Sequence, residues 1–159
     1  MRRRLHGAVL LWAVGLTQPA LAHDFHAGAL RIDHPYATPS DAGAADGAAY
    51  LRGVRNAGAQ ADQLMGASTP VAERVVLQRQ SDGAPVTAIE LAPGAETLLR
   101  HDGPYRLALI GLRQALRDGE RVDLTLHFAR AGEVTVKAWV QTPRTRGTPA
   151  AVRPAPHIH

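Results

Sequence analysis

Arg121-Val122-Asp123-Leu124-Thr125-Leu126-His127-Phe128 alternates apolar and polar residues without a break, and Glu133–Gln141 repeats the pattern through Val134, Val136, Ala138 and Val140. Successive side chains of an extended chain point to opposite faces, so each stretch predicts a strand with one face in a core and the other in water. Ala131-Gly132 stands between them. A tight hairpin therefore joins two half-buried antiparallel strands.

Working outward, the same signature predicts strands over Ala29–Ile32, Ala48–Arg55, Gln63–Ser68, Arg74–Gln80, Ala88–Leu91, Thr97–Arg100 and Tyr105–Gly111. Between them lie Asn56-Ala57-Gly58, Asp82-Gly83, Ala92-Pro93-Gly94, His101-Asp102-Gly103-Pro104 and Asp118-Gly119. These residue types favour turns, and turns at this spacing predict an antiparallel β-sandwich or small barrel. No stretch sustains a helical period. Thr38–Gly47 reads as a small-residue loop, and Thr142–His159 is a Pro/Arg-rich tail without a core pattern.

The chain has 159 residues, which sets one domain as the expectation, and 45% of them are apolar, enough for a packed core. It contains no cysteine. Disulfides, zinc knuckles, iron–sulfur clusters, thiolate copper sites and lipid attachment through Cys are thereby excluded. An isoelectric point near 10.3 suggests a polyanionic partner, but the position of the charges removes that suggestion. Arg2, Arg3 and Arg4 precede the apolar run Gly7–Leu16, and Ala20-Leu21-Ala22 fits a small-x-small cleavage site. Residues 1–22 read as a secretory signal peptide. The apolar run is about half of the roughly 20 residues a bilayer-spanning helix needs.

Cleavage after Ala22 would leave 15 Lys and Arg against 14 Asp and Glu. Arg144, Arg146 and Arg153 lie in the tail, so residues 23–141 are slightly acidic. A phosphate-tracking groove needs clustered basic residues with stacking aromatics, and neither is present. The expected organisation is a leader over 1–22, a β-sandwich over 23–141 and a tail over 142–159, with the mature protein in the periplasm.

Catalysis finds little support. Ser40, Ser68 and Ser81 are the serines, none in a Gly-x-Ser-x-Gly turn, and Lys137, the single lysine, alternates onto a solvent face. Histidines are the conspicuous polar group. His23 and His26 open the mature chain, and His157 and His159 close it. A free amine and imidazole at His23, with His26 beside them, make a nitrogen set suited to Cu(II).

The segments Ala48-Ala49-Tyr50-Leu51-Arg52-Gly53-Val54-Arg55-Asn56, Ala61–Ser68, Gly103-Pro104-Tyr105-Arg106-Leu107-Ala108-Leu109-Ile110-Gly111-Leu112 and Leu116–Phe128 together resemble the PCu(A)C family of periplasmic copper chaperones, from about Ala29 to Gln141. The opening His23–Gly28, followed by Ile32-Asp33-His34-Pro35, is similar to the start of many members. The resemblance implies a cupredoxin-like β-sandwich of Greek-key type that carries Cu(I) toward the CuA centre of a respiratory oxidase. An oxidase copper-assembly factor or another periplasmic copper carrier would be its partner.

The family's Cu(I) ligands are a His at a strand end, a Met some residues later and a His-x-Met pair. Here the resemblance aligns those positions with Gln78, with a Met-free stretch over Ser81–Ile89, and with Arg106 and Ala108. Soft Cu(I) prefers thioether and imidazole donors, and a guanidinium repels a cation. Copper, if bound, is thus expected as Cu(II) at His23, His26, His157 and His159. Met65 reads as a core residue, His101 as a turn residue, and His34 and His127 as structural. The alternative function is a metal-free binding or docking module on the same fold, with Arg106 pairing an anionic group.

Overall fold

The structure is a computed structural model and describes residues 24–144. Ten strands follow one another: β1 (Asp24–Ala27), β2 (Leu30–Ala37), β3 (Asp46–Asn56), β4 (Asp62–Ser68), β5 (Ala72–Arg79), β6 (Ile89–Leu91), β7 (Glu96–Leu99), β8 (Tyr105–Leu112), β9 (Arg121–Phe128) and β10 (Gly132–Val140). No helix occurs among the described residues. All nine strands read from the sequence are present, and β1 is additional. Its four residues carry an Asp and a His beside a single Phe, so alternation alone does not reveal it.

The β9–β10 hairpin forms as its pattern dictates. Val122, Leu124, Leu126 and Phe128 are buried on the same face as Val136, Ala138 and Val140. The outer face pairs residues directly across the two strands: Asp123 with Lys137, Thr125 with Thr135 and His127 with Glu133. The first is an ion pair, the second a 2.8 Å hydroxyl bond, and the third joins Nδ1 to Oε1 at 2.8 Å. Such cross-strand partners are the unit by which a sheet face gains stability. The turn holds Gly132 at φ 79°, where a side chain would be strained.

The strands run in the order β5-β8-β3-β2-β10-β9-β4-β6. All pairings are antiparallel except β2 with β10, which is parallel through Tyr36–Trp139 and Ala37–Val140. β3, eleven residues long, serves two partners on one edge: β8 along Asp46–Ala49 and β7 along Leu51–Arg55. β6 comes against β3 and β7, so the sheet nearly closes into a cupredoxin-like β-sandwich. Ile32, Leu51, Val54, Leu64, Leu99, Leu107, Leu126 and Val136 form its fully buried centre.

Two buried polar side chains fasten the rim. Asn56 donates to Gln60 O at 2.8 Å and Leu91 O at 3.0 Å and accepts from Gly58 N at 2.9 Å. The Asp62 carboxylate accepts from the backbone N–H groups of Gln63, Arg130 and Ala131, at 2.8 to 2.9 Å, and so ties β4 to the β9–β10 turn. Met65 is not in the core. The pairing of β4 with β9 slips between Leu64 and Gly66, Leu64 keeps the inward position, and Met65 is 48% exposed.

Candidate functional site

Gln78 on β5 lies directly across from Arg106 on β8, and Arg106 Nε donates to Gln78 Oε1 at 3.0 Å. Two residues along β8, Ala108 faces Val76 on one side and Ala48 of β3 on the other. The three positions singled out by the sequence are therefore neighbours on one outward face. They line an open groove of about 550 Å³, together with Tyr50, Ile110, Asp46 and the loop after β2. The loop expected over Thr38–Gly47 is this wall, although Asp46 and Gly47 belong to β3.

The groove is backed by an aromatic cluster that the sequence reading did not assemble. Tyr36 and Tyr50, paired across β2 and β3, stack with centroids 5.2 Å apart. His101 packs edge-on against both rings. The Tyr36 hydroxyl accepts the His101 backbone N–H at 3.0 Å and stands 2.9 Å from its Nδ1. With the hydroxyl hydrogen given to Nδ1, the ring proton is assigned to Nε2. Gln80 Nε2 donates to Arg100 O at 2.6 Å and Gly103 O at 2.7 Å, which holds the turn over the tyrosines. Burial pushes the Tyr36 and Tyr50 phenols above the ordinary tyrosine value; the His101 backbone bond and the Arg106 charge, respectively, partly counter this. Alternation alone does not reveal the cluster: Tyr36 shares the parity of inward Leu30 and Ile32, and Tyr50 that of inward Val54. The irregularities at His34 and between Leu51 and Val54 turn both rings outward, and the β7–β8 turn brings His101 onto them.

Of the four terminal histidines the structure describes one. His26 is exposed on β1, across from Arg31, while His23, His157 and His159 lie outside the described residues. Among the described residues no group of three or more His, Asp or Glu is placed to hold a metal ion.

Two other arrangements are notable. Ser68 Oγ is 3.3 Å from His127 Nε2, whose Nδ1 meets Glu133. The connectivity is that of a nucleophile, base and orienting acid, but the three sit on an open sheet face and the Glu133 side chain is 70% exposed. A solvated chain of this kind lacks the enclosed surface that acyl transfer uses. The second is a depression of about 110 Å³ lined by Phe25, His34, Arg121 and Trp139. Arg121 lies over the Trp139 ring at 5.1 Å, and His34 has φ 41° inside β2 with its Nε2 3.0 Å from Gln141 Nε2.

The β-sandwich fold is that of PCuAC-type domains. The copper-bound PCuAC domain from PmoF2 shares 26% identity and superposes with a TM-score of 0.68 over 76% of this chain and 99% of that one. Cu(I)-bound DR1885 from Deinococcus radiodurans also shares 26% identity, with a TM-score of 0.55 over 79% of this chain and 85% of that one. The LpqE-like family, described as one of lipoproteins, matches residues 30–140, and the chain belongs to it. No cysteine is present in the 159 residues to carry a lipid. No curated protein matches the sequence.

Proposed function

We propose that this chain handles copper outside the cytoplasm, as a carrier without catalysis, and that it takes copper as Cu(II) through nitrogen donors at its ends. The likeness to a copper-bound domain along nearly the whole body carries the reading. Copper is the cargo, and the outward groove is a poor place for Cu(I). Gln78 offers an amide oxygen, Arg106 a permanent cation and Ala108 a methyl group, and the Arg106 Nε is already committed to Gln78. Nitrogen donors remain at His23, His26, His157 and His159. Once a leader ending at Ala22 is cleaved in the periplasm, the His23 amine and imidazole close a chelate, with exposed His26 three residues on. The recipient is an oxidase copper-assembly factor or another periplasmic copper carrier.

Titration of the protein beginning at His23 with Cu(II) and Cu(I), beside a variant with all four histidines replaced by Ala, tests this. Tight Cu(II) binding that is lost in the variant is expected, and it should weaken in acid because the metal must displace a proton from an amine whose ordinary pKa is roughly 7.7–8.0. Equal Cu(II) affinity in the two proteins would sink the reading. The Gln78–Arg106 bond favours a second function, a metal-free binding module that uses the groove, and tight Cu(I) binding by the four-histidine variant would count against both.

A further inference from the structure

We propose that the groove beside Arg106 binds a short peptide end to end, its α-carboxylate on the Arg106 guanidinium and its α-ammonium at Asp46 and Asp41. This deepens the metal-free reading and does not depend on copper. Arg106 is half-buried, and its Nε bond to Gln78 fixes the plane of the fork while leaving both terminal nitrogens without a protein partner among the described hydrogen bonds and ion pairs. A planar guanidinium held in this way suits the two oxygens of a carboxylate. The buried Tyr50 ring stands beside it on the groove wall and keeps water from one side.

The opposite end of the same groove has the opposite sign. Asp46 pairs across the sheet with Ile110, four residues along β8 from Arg106, and exposed Asp41 lines the wall next to it. Exposed Asp46 accepts the Gly111 N–H on Oδ1 at 3.2 Å, which anchors the carboxylate, and Oδ2 has no partner among the described hydrogen bonds and ion pairs. Ala48 and Ala108 pair directly across β3 and β8 between the two ends, so the floor is apolar and low. At about 3.3 Å per residue, four strand positions separate the charged ends by about 13 Å. An extended tripeptide reaches about 10 Å, and the Arg and Asp side chains close the remainder. A polyanion such as a phosphate ester is disfavoured by the two aspartates, and a simple carboxylate leaves them unused.

The experiment is a two-dimensional NMR titration of the full chain in a metal chelator with trialanine, trialanine amide and N-acetyl-trialanine. Trialanine should shift the amides of Ala48, Arg106 and Ala108, and amidation of its carboxylate should weaken binding about tenfold or more, the range of a charge-assisted pair. Arg106→Gln should do the same, Arg106→Lys should retain part of the affinity, and N-acetylation or Asp46→Asn should cause a severalfold loss. Equal binding of peptide and amide would overturn the proposal without relying on a variant's folding. So would saturation of the same amides by inorganic phosphate or acetate alone, or the absence of any shift with trialanine. Because the chelator is present throughout, failure here leaves the copper titration unaffected, and a failed copper titration leaves this result standing.

Discussion

Tyr36 shows how much one hydroxyl can organise. It is 5% exposed, stacks on Tyr50 and holds both the backbone and the ring of His101. Tyr36→Phe keeps the stacking and leaves two His101 groups without their partner, so chemical denaturation should show a loss of about 1–3 kcal/mol. The phenols also fix an alkaline limit. Their folded pKa values lie above the unfolded value near 10, so the unfolded chain loses these protons first and stability falls as pH rises past that value. Absorbance titration near 295 nm should find two tyrosine midpoints above that of free tyrosine, and the phenols' contribution to stability should be constant below pH about 10 and decline above it. Asp82 has the reverse sense. The Ala84 N–H bond is the first cause that holds its carboxyl below the usual value, so its small contribution is present above the ordinary carboxylate range and fades as pH falls.

At the scale of elements, the β9–β10 hairpin and β4 depend on one another through Asp62. Asp62→Ala removes the acceptor for three backbone N–H groups beside the turn, and a stability loss of about 1–3 kcal/mol is expected, with faster hydrogen exchange at Arg130 and Ala131 than elsewhere in the hairpin. An equal change across all amides would count against a local tie. Legibility in the sequence follows the same division. The hairpin could be read because alternation and Gly132 are local, and once it is drawn, His127 faces Glu133 by register alone. The Met65 placement could not be read, because it depends on where β4 slips against β9, a strand more than fifty residues away. The juxtaposition of Gln78, Arg106 and Ala108 was legible only through a family resemblance. Their contact with Tyr50 and the Asp46 end of the groove needed β3 in place between β8 and β2. Ser68 met His127 for the same nonlocal reason.

For the whole molecule, the decisive question is whether folding and copper are separable. The core is a continuous cluster drawn from all the strands of the sandwich, and none of its members is a metal donor. The core closes on apolar side chains, unlike small domains in which the ion supplies the folding energy. Two consequences can be set against each other in one thermal experiment. In chelator, the protein beginning at His23 and its four-histidine variant should unfold at the same temperature, because the only described one of the four, His26, is exposed on β1. With Cu(II) at 100 times its dissociation constant, binding to the folded state alone would add about 2.7 kcal/mol. Each kcal/mol moves the midpoint of a domain of this size by about 4 °C. However, ligands confined to the chain ends can hold copper equally well when the sandwich is unfolded, and then the shift nearly vanishes while the affinity remains. A large shift in the parent and none in the variant would mean that the ends close onto the folded body. Tight binding with little shift would mean a chelate independent of the fold, leaving the groove at Arg106 as the part of the surface that only the folded sandwich can supply.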